Sequence, residues 1–293
     1  MRILIFGKNG QLGWETQRTL ACLGDVTALD YPNVDFTRPN TIRNAIVETS
    51  PNVIVNAAAY TNVDQAELEA DLCTQINSLA PGKIAETAAE VGAFFIHIST
   101  DYVFDGEKGS PYFETDLPNP LSVYAKSKLD GEQRVQAIDH AHIILRTSWM
   151  YSMRSPSFLT KVLEWAKTNS NLKIVSDQIS NPTNARMLAE IIALMLAKGA
   201  KSPIDYFKDK SGIYHLGGSG YTSRYDWAKK ILDLAGTENG VIAKEVIPAL
   251  TKDFPTPATR PLFSALNCEK FENTFHLRLP PWQNSLQLEI NCL

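Results

Sequence analysis

The chain has 293 residues, 44% of them hydrophobic and 20% charged, enough for one large core or two joined ones. Its net charge of −4 gives no electrostatic case for nucleic acid or an anionic membrane as partner, and no apolar run is long enough to span a bilayer. Met1-Arg2 leads straight into Ile3-Leu4-Ile5-Phe6, too short a run for a signal segment, so the reading is a cytoplasmic protein.

Residues 2–6 read as a strand. Gly7-Lys-Asn-Gly10-Gln11-Leu12-Gly13 follows, and then a helix through residue 20. This is Gly-x-x-Gly-x-x-Gly after a strand and before a helix, the setting that a dinucleotide-binding turn requires. Gly7 permits the tight turn, Gly10 lets the backbone approach a pyrophosphate, and Gly13 lets the helix pack on the strand. The phosphates then sit at the helix N-terminus, where free amides and the dipole attract negative charge. Residues 25–30 form a second strand with Asp30 at its carboxyl end, placed for the adenosine ribose hydroxyls. The Asp30 charge disfavours a 2′-phosphate and Lys8 offsets it, so NADPH and NADH both stay open as cofactor. Asp35 and Phe36 offer a carboxylate and an aromatic wall to an adenine, or are ordinary loop residues.

Residues 41–49 read as a helix and 51–58 as an apolar parallel strand covered on both faces. Ala57, Ala58, Ala59, Tyr60 and Thr61 follow at its carboxyl end, where open α/β sheets bind ligands and small side chains leave room. A polar helix start at 64–72 precedes Ile76-Asn77 and a long alanine-rich helix ending at Val91-Gly92. Asn77 either hydrogen-bonds near a cofactor or caps or kinks its helix. Residues 93–99 make a fourth strand. His97 inside it reads as a core histidine, and Ser99-Thr100-Asp101 stands at its carboxyl end.

A Gly/Pro-rich loop covers 105–120, and a helix with Tyr124-Ala-Lys-Ser-Lys128 follows. A tyrosine and a lysine four apart share one helix face. A free phenol, with a pKa of about 10, is a poor proton shuttle at neutral pH. A nearby ammonium lowers that pKa, and the pair becomes a tuned proton donor. Strand 143–147 completes a strand–helix alternation with no hairpin signals, which predicts a Rossmann-type, doubly wound parallel sheet.

After residue 150 the rhythm breaks. The order becomes helix 157–168, loop 176–182, an apolar helix 185–197 returning to the sheet, a short strand 213–216, helix 222–235 and a proline-rich tail kept extended. The expected division is a dinucleotide-binding domain of 1–150 plus roughly 183–213, with 151–182 and 214–293 forming a smaller C-terminal lid for the substrate. Pro257 and Pro261 bracket Arg260, whose guanidinium suits a diphosphate or a surface ion pair. The four cysteines, Cys22, Cys73, Cys268 and Cys292, show no metal-ligand spacing.

Six stretches occur in order along the chain: the glycine turn, Val55-Asn-Ala-Ala-Ala-Tyr-Thr61, Ser99-Thr-Asp-Tyr-Val-Phe-Asp105, Tyr124-x-x-x-Lys128, Arg146-Thr-Ser-Trp149 and Thr256-Pro-Ala-x-Arg-Pro261. They resemble the extended short-chain dehydrogenase/reductases and, within these, the dTDP-4-dehydrorhamnose reductase family. The resemblance implies NAD(P)H-dependent reduction of the 4-keto group of dTDP-4-dehydro-L-rhamnose to dTDP-L-rhamnose. By position it makes Tyr124 the proton donor. Lys128 would lower the phenol's pKa and hold the nicotinamide ribose, and Thr100 would hydrogen-bond the sugar O4. Asp101 and Trp149 would contact the sugar. Gly10, Gln11, Leu12, Asp30, Asp35, Phe36, Ala59, Tyr60 and Thr61 would hold the cofactor. Some members of the family dimerise around a magnesium ion bound by glutamates. Glu15 matches one such position, but Arg186 stands where those members carry a glutamate, so no such metal site is expected and the chain reads as monomer or homodimer. Two other readings stay open. One is a reductase of a different 4-keto-6-deoxy nucleotide sugar. The other is a non-catalytic NADP-binding partner like the regulatory subunit of methionine adenosyltransferase, which needs no proton donor.

Overall fold

A computed structural model describes residues 1–236 and 240–291; Cys292 lies outside the described residues. The first half runs β1 (Arg2–Phe6), α1 (Gln11–Leu20), β2 (Asp25–Leu29), α2 (Pro39–Thr49), β3 (Val53–Asn56), α3 (Val63–Ala66), α4 (Ala70–Thr74), α5 (Ala80–Val91), β4 (Phe94–Thr100), α6 (Val123–Gln136) and β5 (His142–Thr147). The second half runs β6 (Met150–Tyr151), α7 (Phe158–Thr168), β7 (Asn171–Val175), β8 (Ile179–Ser180), β9 (Thr183–Asn184), α8 (Ala185–Lys198), α9 (Pro203–Lys208), β10 (Gly212–His215), β11 (Thr222–Ser223), α10 (Arg224–Ala235), β12 (Glu245–Ala249), α11 (Glu269–Phe275) and α12 (Trp282–Ile290).

Six strands form one parallel sheet in the order β10-β5-β4-β3-β1-β2. Side chains alternate across it, as the pleat demands. Ile3, Ile5, Val53, Val55, Ile96, Ile98, Ile143 and Leu145 share one buried cluster with residues of α1 and α8. Leu4, Phe6, Ile54, Phe95 and Ile144 share a second cluster with α2, α5 and Val135 of α6. Both faces are therefore covered, which is why these strands read as apolar throughout. The strand order places β1 between β3 and β2, so the chain reverses direction beside β1 and opens a crevice at the carboxyl edge there.

Two local features differ from the sequence reading. The long helix through Asn77 carries a π-helical turn, Gln75–Leu79, between α4 and α5, and α6 seats Gly131 against it: a Cβ there would lie 2.2 Å from the Asn77 carbonyl oxygen. The strand expected at 213–216 is β10, which pairs in parallel with β5 along Gly212–His215. The expected boundary at 213 falls inside it. Pairing it covers the open edge of β5, and Phe271 and Phe275 of α11 bury against the same core.

The remaining late segments build a second, smaller core around Trp227, with Tyr151, Leu159, Val162, Ile231, Trp282 and Leu286. Ser157 starts α7 with a reciprocal capping box to Thr160. Three two-stranded sheets, β11-β8, β12-β7 and β6-β9, brace this unit. No helix among the described residues is long and apolar enough to cross a membrane.

Candidate active site

A cleft of about 600 Å³ opens at the carboxyl ends of β1, β3, β4 and β5. Gly7, Gly10, Gln11, Leu12 and Asp30 line one end, Ala57, Ala58, Ala59 and Thr61 its middle, and Thr100, Asp101, Tyr124, Lys128 and Trp149 the other. The glycine turn and parts of the 55–61, 99–105, 124–128 and 146–149 stretches thus meet in one cleft.

The glycine turn behaves as its spacing predicts. Gly7 has φ +87°, and a Cβ there would lie 2.6 Å from the Ala58 nitrogen. Gly13 is a packing glycine: its Cβ would lie 1.9 Å from the Gly7 carbonyl oxygen. At Gly10 the only atom within 4 Å of an added Cβ is that same oxygen, at 3.4 Å, so the space in front of it is open. Gly10 also caps α1 with no side-chain hydrogen bond, which leaves first-turn amides for a ligand. Asp30 accepts from the backbone N–H groups of Asn9 (3.1 Å) and Tyr31 (2.8 Å). Ser99 Oγ and Thr147 Oγ1 are buried without a protein partner, and both residues face the cleft. Orphaned hydroxyls, open glycine backbone and uncapped amides together fit a dinucleotide.

Some expected contacts lie elsewhere. Asp35 accepts from Thr37 N (2.9 Å) and Oγ1 (2.7 Å), which holds its carboxyl below the usual range. The Phe36 ring packs edge-on against Phe6 at 5.6 Å. The Tyr60 phenol donates to Glu69 at 2.7 Å, while its main chain is clamped by Asn77 at 2.8 and 3.0 Å. Asn77 therefore positions the 57–61 turn. Arg260 pairs with Asp64 at 2.7 Å and donates to Thr256 at 2.7 Å. It does not line the cleft, because an acidic partner on α3 holds it. Glu15 pairs with Arg18, and Arg186 with Glu190, each at 3.1 Å.

A guanidinium that sequence reasoning passed over does line the cleft. Arg224 opens α10, lies 3.8 Å from the Trp149 ring centroid and 4.6 Å from Phe158, and stands beside Tyr102, as Arg260 also does. Its enclosure pushes its pKa down to about 10, which leaves it charged at neutral pH. Trp149 stacks on Trp227 at 5.6 Å and 9°. Nothing in the local sequence marked Arg224; only the packing of the lid brings it in.

The chemistry centres on Tyr124 and on Thr100, whose hydroxyl stands near the phenol. Burial drives the Tyr124 pKa upward, and the Thr100 hydroxyl opposes that only in part. The lowering expected from Lys128 is not what the geometry gives. Lys128 Nζ donates to the Ile98 carbonyl at 2.6 Å and lies 3.4 Å from His97 Nε2, and burial, rather than this ammonium, decides the direction in which the phenol shifts. Burial lowers its own pKa to about 8. Asp101 is buried, and burial raises its pKa to about 6. Its carboxylate accepts from Thr100 (3.2 Å), Ser180 (3.1 Å) and Ser264 (2.5 Å). It thereby ties Ser180 and Ser264, from two late segments, to the turn that carries Thr100.

The family described as RmlD substrate binding domain matches residues 1–293. The dTDP-4-dehydrorhamnose reductase of Escherichia coli K12 is 41% identical over 298 residues, covering 100% of this chain and 98% of that one. The crystal structure of a dTDP-4-dehydrorhamnose reductase from Clostridium acetobutylicum superposes with a TM-score of 0.91 at 36% identity, over 100% of this chain and 99% of that one. The enzyme of that name from Bacillus anthracis, solved in complex with NADP, gives 0.89 at 31% over the same shares. Whole-length agreement in sequence and fold, on top of the converged motifs, means that this chain belongs to the dTDP-4-dehydrorhamnose reductase family.

Proposed function

We propose that the protein reduces the 4-keto group of dTDP-4-dehydro-L-rhamnose, with NADPH or NADH as hydride source. The observation that carries this reading is the pair of hydroxyls, Thr100 and Tyr124, lining the end of a cleft whose other end is the glycine turn. The dinucleotide, when bound, supplies the hydride. The first-turn amides of α1 and Asp30 would hold its adenosine diphosphate half, and Lys128 its nicotinamide ribose. A ketone that takes up hydride places negative charge on its oxygen, and two aimed hydroxyls stabilise that charge as it forms. Tyr124 is suited to deliver the proton because burial keeps its phenol protonated.

Arg224 replaces Arg260 as the cation we assign to the substrate diphosphate, with Trp149 against the sugar. Arg224→Met keeps the stem and removes the charge. KM for the nucleotide sugar should rise at least tenfold with a smaller change in kcat, whereas Arg260→Ala leaves KM within about twofold. The reaction fits the cytoplasm, where nucleotide sugars and reduced nicotinamide are available, and the lid of the 151–182 and later segments is the substrate side.

Product analysis by NMR, with NADPH and with NADH, on a panel of 4-keto-6-deoxy nucleotide sugars tests the reading. Turnover confined to another sugar moves the substrate. Binding of NADP without turnover of any member of the panel leaves the regulatory-partner reading.

A further inference from the structure

Beneath the cleft a line of hydrogen bonds runs from the turn after β3 through β3 and β4 to α6, and each bond fixes the direction of the next. The Ala58 N–H donates to Asn56 Oδ1 at 3.2 Å. The amide NH₂ of Asn56 must then face the other way, onto His97 Nδ1 at 3.2 Å. An amide NH₂ only donates, so Nδ1 is the acceptor nitrogen of the ring. His97 is fully buried, and burial, with Lys128 adding to it, holds the imidazole well below its ordinary range. The ring is neutral, and its one proton sits on Nε2. That N–H lies 3.4 Å from Lys128 Nζ. An ammonium has donors only, so on this side the charged lysine meets another donor.

We propose that His97 is a positioning residue that acts through Lys128: locked by Asn56 as the Nε2–H tautomer, it denies the ammonium a second acceptor inside the protein, turns its remaining N–H groups toward the cleft and eases loss of its proton. The Ile98 carbonyl is then the acceptor that anchors Nζ from below. The other groups facing Lys128 do not supply a substitute. Glu132, one turn on, favours the ammonium but is held by Arg146 at 2.6 and 2.9 Å. The Cys73 thiol on α4 is kept protonated by burial, and the Tyr124 phenol is kept protonated likewise. A proton source works best when its pKa lies near the operating pH, and a lysine opposed by a donor is moved in that direction. The same line ties Lys128 to the Ala58 backbone, which lines the cleft. The kinetic part of this inference rests on the reductase reading; the tautomer and the lysine titration do not.

Two substitutions reverse the donor. In Asn56→Asp the carboxylate accepts from both Ala58 N–H and His97 Nδ1–H, which leaves the Nε2 lone pair for the ammonium. In His97→Gln the amide can turn its carbonyl to Nζ. The readouts are ¹⁵N imidazole spectra and the ¹³Cε titration of Lys128 in protein labelled on histidine and lysine, free of cofactor, and then the pH profile of kcat. We expect Nε2–H in the native chain and Nδ1–H in Asn56→Asp. The Lys128 midpoint should rise by about one pH unit in a variant that supplies an acceptor, and the alkaline limb of kcat should follow it with dinucleotide KM unchanged. An Nδ1–H ring in the native chain, or a midpoint that stays put in Asn56→Asp, overturns the proposal; if His97→Gln fails to fold, the isosteric Asn56→Asp decides. A native chain inactive on every 4-keto nucleotide sugar removes the reductase reading while the spectra still judge His97.

Discussion

Replacing Tyr124 with phenylalanine lowers kcat by about 10²–10⁴-fold, the usual worth of a positioned general acid. The ring, and so the packing against Tyr102 at 6.1 Å, is kept; only the hydroxyl is lost. The dinucleotide Kd should hold, because the glycine turn, Asp30 and Lys128 are untouched. A donor must arrive with its proton, and burial raises this phenol's pKa, so it stays protonated across the neutral range. Thr100→Val removes the partner hydroxyl and should fall between the native enzyme and Tyr124→Phe. Lys128→Met should harm both kcat and cofactor Kd, since it removes the only ammonium in the cleft lining among the described residues. Single-turnover kinetics with saturating cofactor reads these effects apart. A Tyr124→Phe enzyme with native kcat would assign the proton to another group.

The second large effect is on stability. Glu132→Ala should cost about 3–5 kcal/mol, the scale found when one partner of a buried ion pair is removed. Arg146 and Glu132 are 2% and 0% exposed and meet through two bonds of 2.9 and 2.6 Å. Arg146 Nη1 already lacks a partner, and its guanidinium plane lies 5.2 Å from the Phe104 ring centroid. Without Glu132 the whole charge is stranded between β5 and α6. Replacing both residues with methionine should restore most of the loss, because no uncompensated charge is then left. Urea unfolding midpoints of the two variants check this. The pair also pins the helix of Tyr124 and Lys128 to the sheet, so the double variant tests placement separately from stability: its kcat reports whether the helix still presents the phenol.

The sheet and the cofactor end of the site were legible along the chain because each depends on local rules. Apolar runs announced β1, β3, β4 and β5, and the run at 51–58 also announced cover on both faces. Three glycines between a strand and a helix can be read without knowing what lies across the cleft, since their task is backbone approach. Tyr124 and Lys128 were legible because the helical period places them on one face.

What the sequence could not carry was decided by segments distant along the chain. It placed a lysine near a tyrosine, but not where the amine points: the Ile98 carbonyl and the His97 ring, thirty residues away, stand against it. It offered Arg260 as the cation for the diphosphate and passed over Arg224. Asp64, 196 residues from Arg260, binds one of them, and the stacked pair of Trp149 and Trp227 turns the other into the cleft. It marked Asp101 as a polar group at a strand end, whereas hydroxyls from Ser180 and Ser264 make it the tie between two late segments and the Thr100 turn. Backbone geometry follows from neighbours in sequence, so the sequence by itself determined the fold class and the dinucleotide turn. Charge and hydrogen-bond direction depend on whichever groups the fold brings within about 3 Å, so only the tertiary structure decided which titratable side chains face the reaction and in which protonation state.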